Sequence, residues 1–273
     1  MKYFIESLKA HKKEKIIIML TLIIVTCIVT SIQAKDFKGV EGDWGLSLFY
    51  DVINSGIVVW VYLAGTLLIT NLAVSDEFLD NKSNFKSMII TRIGYKKYYK
   101  NVLIKTFLTS FIAVVIWLIA LLIFIHFTQR DISFDYGIQV FFTQKNLIIN
   151  NQMYNLIALI IITAGGYGLF SLFVNSLQVF INNIYVYRIA PIMLSVFLYS
   201  GTFLFLETAL GNTPLLEFIG VFIYIGTLLN PFVLTTTIFK IMSPYEAFAC
   251  CILFYGALTY ILQLIKYKKF YYS

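Results

Sequence analysis

Between Asn146 and Tyr187 the chain runs for 42 residues without a charged side chain. A water-soluble domain carries about 25% charged residues, so a run of this length has no polar face to turn to solvent. It is also too long for one helix across a bilayer, which needs about 20 residues to cover ~30 Å at ~1.5 Å each. Two spans fit it, one at 154–177 and one at 184–206, joined by a turn at Asn182-Asn183.

The same ruler finds further spans at 16–34, 52–75, 106–129 and 247–265. Composition agrees: 59% of the 273 residues are hydrophobic, 13% are charged, and the mean hydropathy is +0.82. The expected fold is all-α, a single polytopic membrane domain over 1–273 with six transmembrane helices. The segment 218–239 is long enough to cross, but Asn230-Pro231 breaks it and proline removes a helix hydrogen bond. It is expected to dip into the outer leaflet and return, making 211–244 an extracytoplasmic re-entrant hairpin before the last span. Phe4, Ile5 and Leu8 share a face apart from Lys2, Lys9 and Lys13, so 1–15 is expected to be an interfacial helix. Its five lysines precede the first span, which is therefore expected to be retained rather than cleaved as a signal peptide.

Charge orients the spans. With six, the N-tail, the 76–105 loop, Arg188 and the C-tail (Lys266, Lys268, Lys269) lie together and hold sixteen of the 21 basic residues. The positive-inside tendency puts that side, with both termini, in the cytoplasm. A seventh span would move the C-tail lysines outside. The net charge of +7 therefore serves topology, since a nucleic-acid binder would gather its basic residues on a soluble fold. Abundant Ile, Asn and Lys fit an AT-rich bacterial genome, hence a bacterial cell membrane.

Catalytic signatures are sparse. The two histidines, His11 and His126, form no metal motif, and no GxxxxGK[ST] phosphate loop occurs. The chain is expected to be non-catalytic and to bind no metal or cofactor. Cys27, Cys250 and Cys251 lie in apolar runs and read as small buried hydrophobes. Gly165 and Gly168, in the Ala164-Gly165-Gly166-Tyr167-Gly168 run, are candidates for close helix packing or a gating hinge. Glu207 and Glu217 are candidates for an outer vestibule.

The most informative stretch is Ser75 to Lys105, which opens with Asp76, Glu77 and Asp80 and closes with lysines. Its centre, Asn84 to Ile93, can form a short helix with Phe85, Met88 and Ile89 on one side, and Gly94 fits a helix stop. A short apolar-faced helix on a membrane rim suits docking into a partner's groove.

Glu77, the NKSNFKSMIITRIG segment, the basic and aromatic YKKYYKNVLIK entry to the third span, and LLNP at Leu228 to Pro231 follow one another in an order that resembles a known family. The layout is similar to the membrane-spanning permease subunit of type-2 ATP-binding-cassette (ABC) exporters, over the whole chain. The resemblance implies a permease half that pairs with a second permease chain, identical or homologous. Two separate ATPase subunits, which bind ATP and Mg, would dock on the cytoplasmic loops. It makes 76–105 the coupling loop, with Phe85, Met88, Ile89 and Arg92 at the docking face and Glu77 at the helix base. The substrate path would lie between the two chains, along the second and fifth spans. Two outer loops, Lys35 to Asp51 and Thr128 to Met153, are long and fit no subfamily. A competing reading is a membrane immunity or sensor protein that binds a toxin or partner without transporting it.

Overall fold

The computed structural model describes residues 12–35, 45–54, 64–74, 90–129, 131–132, 134, 151–181, 183–202, 214–230 and 244–272. Among them there is helix and no strand. We label the helices α1 (Lys12–Gln33), α2 (Gly45–Asn54), α3 (Ala64–Val74), α4 (Tyr95–Thr128), α5 (Gln152–Ser176), α6 (Ile184–Val196), α7 (Pro214–Ile223), α8 (Ile225–Leu229) and α9 (Pro244–Tyr272). Five are long and apolar enough to cross a membrane: α1, α4, α5, α6 with its continuation to Gly201, and α9. The chain is thus a multi-pass membrane protein by length and composition of its helices.

Lipid offers no hydrogen bonds, so a crossing segment must satisfy its own backbone. This explains why α1 is helical although its Ile, Val and Thr residues disfavour helix in water. The hydroxyls of Thr21, Thr26, Thr30 and Ser31 also turn inward, each donating to the carbonyl four residues back at 2.7–2.9 Å. Two helix starts are capped by asparagine. Asn151 Oδ1 accepts from the backbone of Met153 and Tyr154 to start α5, and Asn183 Oδ1 accepts from Tyr185 at 2.8 Å to start α6. The second of these caps is the expected turn between the fourth and fifth spans.

The bundle is built on α5, which lies between α4 and α9. α1 packs on the outer side of α4, α2 lies against both, and α7 and α8 lean on α9. Trp117 Nε1 donates to Thr26 Oγ1 at 2.8 Å, pinning α4 to α1. Ser110 Oγ donates to Ser171 Oγ at 2.6 Å between α4 and α5. At one end, Asn155 of α5 donates to the Tyr50 hydroxyl of α2 and Asn230 Nδ2 donates to the Ile53 carbonyl. At the other, Asn71 Nδ2 of α3 donates to the Arg188 carbonyl of α6.

Several boundaries differ from expectation. α1 begins at Lys12, so part of the interfacial segment belongs to the first long helix; residues 1–11 lie outside the described residues. α4 starts eleven residues before the expected span, at Tyr95, and is about 51 Å long at ~1.5 Å per residue. The extra length is its lysine- and tyrosine-rich start, where the helix continues beyond what hydrocarbon requires. The expected second span is described as α2 and α3, with 55–63 between them outside the described residues. The expected re-entrant segment is described as α7 and α8, which break at Tyr224 (φ −66°, ψ 105°) and end at Asn230, ahead of Pro231. The return half of that hairpin lies outside the described residues.

Candidate functional site

Local contacts gather the basic residues at one end of the bundle. The C-terminus of α5 meets the C-terminus of α9 and the start of α4 there, and the starts of α1 and α6 lie at the same end. Among the described residues, this end holds every lysine and arginine except Lys35.

The expected coupling loop enters the bundle here. Glu77, Phe85, Met88 and Ile89 lie outside the described residues; Arg92 is exposed on a helical turn at 90–93. That turn stops at Gly94, whose N–H donates to the Ile90 carbonyl at 2.9 Å while its own carbonyl accepts from Tyr98 at 3.1 Å. Gly94 has φ 80° and ψ 147°, a region that only glycine occupies without strain. The helical turn at 90–93 and α4 therefore meet at a bend made by Gly94.

One turn beyond that bend, α4 is tied to two other helices. The Tyr99 hydroxyl donates to the Gln263 carbonyl at 2.9 Å and lies against its side-chain oxygen. Gln263 Nε2 donates to Asn175 Oδ1 and to the Leu172 carbonyl, both at 3.2 Å. Lys266 Nζ, on a residue only 2% exposed, donates to Asn175 Oδ1 at 2.8 Å and to the Asn175 carbonyl at 3.2 Å. Lys269 Nζ donates to the Val179 carbonyl at 2.8 Å. The rings of Tyr95, Tyr99 and Tyr267 close the cluster at centroid distances of 5.2–6.1 Å.

The chemistry follows from helix ends. The last carbonyls of a helix lack intrahelical partners and carry partial negative charge. The last turn of α5 has no basic residue of its own, so α9 brings the cations to it. These side chains join the start of α4, the end of α5 and the end of α9 in one polar knot.

The remaining candidates lie elsewhere. At Gly165 an added Cβ would meet open space, and at Gly168 it would lie 2.7 Å from the Phe107 ring. The close backbone approach is at Gly166, where a Cβ would fall on the Leu228 carbonyl of α8. Glu207 lies outside the described residues, and Glu217 belongs to α7, whose side chain there is not described. His126 is exposed at the far end of α4, where its Nδ1 accepts from the Ile132 N–H at 3.2 Å. Cys251 is buried and donates to the Val221 carbonyl at 2.9 Å. Among the described residues, no three His, Cys, Asp or Glu side chains come together.

No protein-family model, curated protein or solved structure matches the chain.

Sequence reasoning missed Gly166 and the knot. Gly166 stood in the small-residue run already singled out. Gln263, Lys266 and Lys269 stand three residues apart, on one face of α9, and a glutamine inside an apolar span is the signal that leads to them.

Proposed function

We propose that this chain is the permease subunit of an ABC exporter in a bacterial cell membrane, driven by separate ATPase subunits that dock on the 76–105 loop. The observation that carries the reading is the bend at Gly94 followed by the polar knot. A push on the loop is delivered to α4 through that bend, and within one turn it is shared with α5 and α9. In this reading the basic end faces the cytoplasm, α2 and α3 are parts of one second span, and α7–α8 is the first half of a re-entrant hairpin, giving six spans. Phe85, Met88, Ile89 and Arg92 meet the ATPase, and Glu77 anchors the loop base. A second permease chain completes the path. On α6 and its continuation to Gly201, Tyr185, Ile189, Met193 and Phe197 recur every four residues and are 52–73% exposed, a continuous apolar row suited to line that path or meet the second chain.

The test is copurification. A tagged chain purified from its native membrane is expected to bring down a nucleotide-hydrolysing subunit, and Phe85→Asp with Ile89→Asp is expected to release it. If no ATPase accompanies the chain and the double variant leaves its partners unchanged, the transport reading fails. Capture of a secreted toxin instead would favour the immunity reading.

A further inference from the structure

We propose that the cleft between α1 and α4 is a binding site for one anionic phospholipid, with an acyl chain along the two helices and the headgroup phosphate at Lys15. The inference concerns a site apart from the coupling loop and stands without the exporter reading.

The geometry sets the shape. Trp117 and Thr26 pin α1 to α4 part-way along their length. On the basic side of that pin lies a cleft of about 590 Å³, lined by the buried Leu72 and Ala113 and by Leu20, Ile23, Ile112 and Ile116. It extends from Lys15 to Ile23 on α1 and from Leu108 to Ile116 on α4. The eight helical steps on each helix give a length of ~12 Å, close to the ~15 Å depth of one leaflet's hydrocarbon.

The chemistry selects the occupant. Apart from Lys15 and Thr109 the lining is wholly apolar. Such a cleft does not hold water, and a peptide would leave backbone groups there without hydrogen bonds. A volume of this size takes a small molecule or a flexible chain, whereas a helix of a second copy is ~10 Å wide before it is seated. The charge lies at one end only. Lys15 lines the mouth, and Lys105 shares the α4 face of Thr109 and Ile112 one turn nearer the basic end. An apolar slot of leaflet depth ending in two lysines complements a lipid tail below a phosphate.

The test uses the full chain in nanodiscs with photoactivatable phosphatidylglycerol or phosphatidylcholine, the reactive group being in mid-acyl chain. Labelling is mapped by peptide mass spectrometry. The expected result is labelling within 16–23 and 108–116, with phosphatidylglycerol favoured up to about thirtyfold, the advantage two lysines confer near an anionic group. Lys15→Gln with Lys105→Gln is expected to bring the two lipids level while the cleft is still labelled. Ile112→Trp, which fills the cleft, is expected to abolish labelling by both. Leu20→Trp fills it from the opposite wall and is used if Ile112→Trp does not fold. Equal labelling of the natural chain by both lipids overturns the proposal. So does labelling that survives a filled cleft, and so do chain-to-chain cross-links at Leu20 or Ile112, which would mean that a second copy covers it.

Discussion

The buried lysine at the end of α9 gives the sharpest energetic prediction. Lys266 Nζ donates to both the side-chain oxygen and the carbonyl of Asn175. Lys266→Met keeps the apolar stem and removes the charge along with its desolvation cost. What remains is a buried carbonyl and side-chain amide that have lost a donor, and orphaning a buried polar group costs about 1–3 kcal/mol. Asn175→Ala is worse in kind. It takes the Asn175 side-chain oxygen away from an ammonium that is 2% exposed and leaves the Asn175 carbonyl in place. Loss of a partner by a buried charge costs about 3–5 kcal/mol when uncompensated, and the surviving carbonyl and the α5 dipole trim that to about 2–4 kcal/mol. Combining Lys266→Met with Asn175→Leu removes both halves and is expected to cost less than Asn175→Ala alone. Thermal unfolding of the purified chain in detergent, followed by tryptophan fluorescence, gives the ranking. Additive losses in the double variant, or Lys266→Met falling below Asn175→Ala, would refute the view that the lysine is held in place by Asn175.

Other changes test other joints. Gly94→Ala would force a side-chain residue into a region that costs about 1–3 kcal/mol; the expected result is lower transport or ATPase coupling with the helix content of circular dichroism preserved. Gly166→Ala would press a methyl on the Leu228 backbone and is expected to cost about 1–3 kcal/mol of overpacking. Gly165→Ala meets open space and is expected to be neutral or stabilising by about 0.5–1 kcal/mol, and thermal unfolding separates the pair. Trp117→Phe removes the donor to Thr26 and is expected to lower stability by about 1–2 kcal/mol, measured by chemical denaturation.

Hydropathy made the spans legible because length and absence of charge are local properties. Five long apolar helices stand where the uncharged runs stand. The ruler measures hydrocarbon, however, and a helix does not end where hydrocarbon ends. α4 continues back to Tyr95 through Lys96, Lys97 and Lys100, and α9 continues on to Tyr272 through Lys268 and Lys269. Asn183 and Gly94 were readable because each carries a local backbone signal, a side-chain cap in one case and a positive φ in the other. The break at Tyr224 has no such signal, since neither proline nor a charge stands there. The polar knot was hidden for a different reason. Tyr99, Asn175, Gln263 and Lys266 come from three segments, and Tyr99 and Gln263 are 164 residues apart in the chain. Taken one by one, the tyrosine is an interfacial anchor and the lysine a topology signal; only packing shows that Gln263, which accepts from Tyr99, shares Asn175 with Lys266.

The central claim is that the loop before α4 engages an ATPase. A photo-crosslinking amino acid at Phe85 or Ile89, introduced in the native host and activated in intact membranes, measures this directly. The account predicts one dominant adduct, a subunit that carries an ATP-binding phosphate loop, formed from both positions and lost when Arg92→Glu is added. An adduct with a secreted peptide, or none with any nucleotide-binding protein, would contradict it.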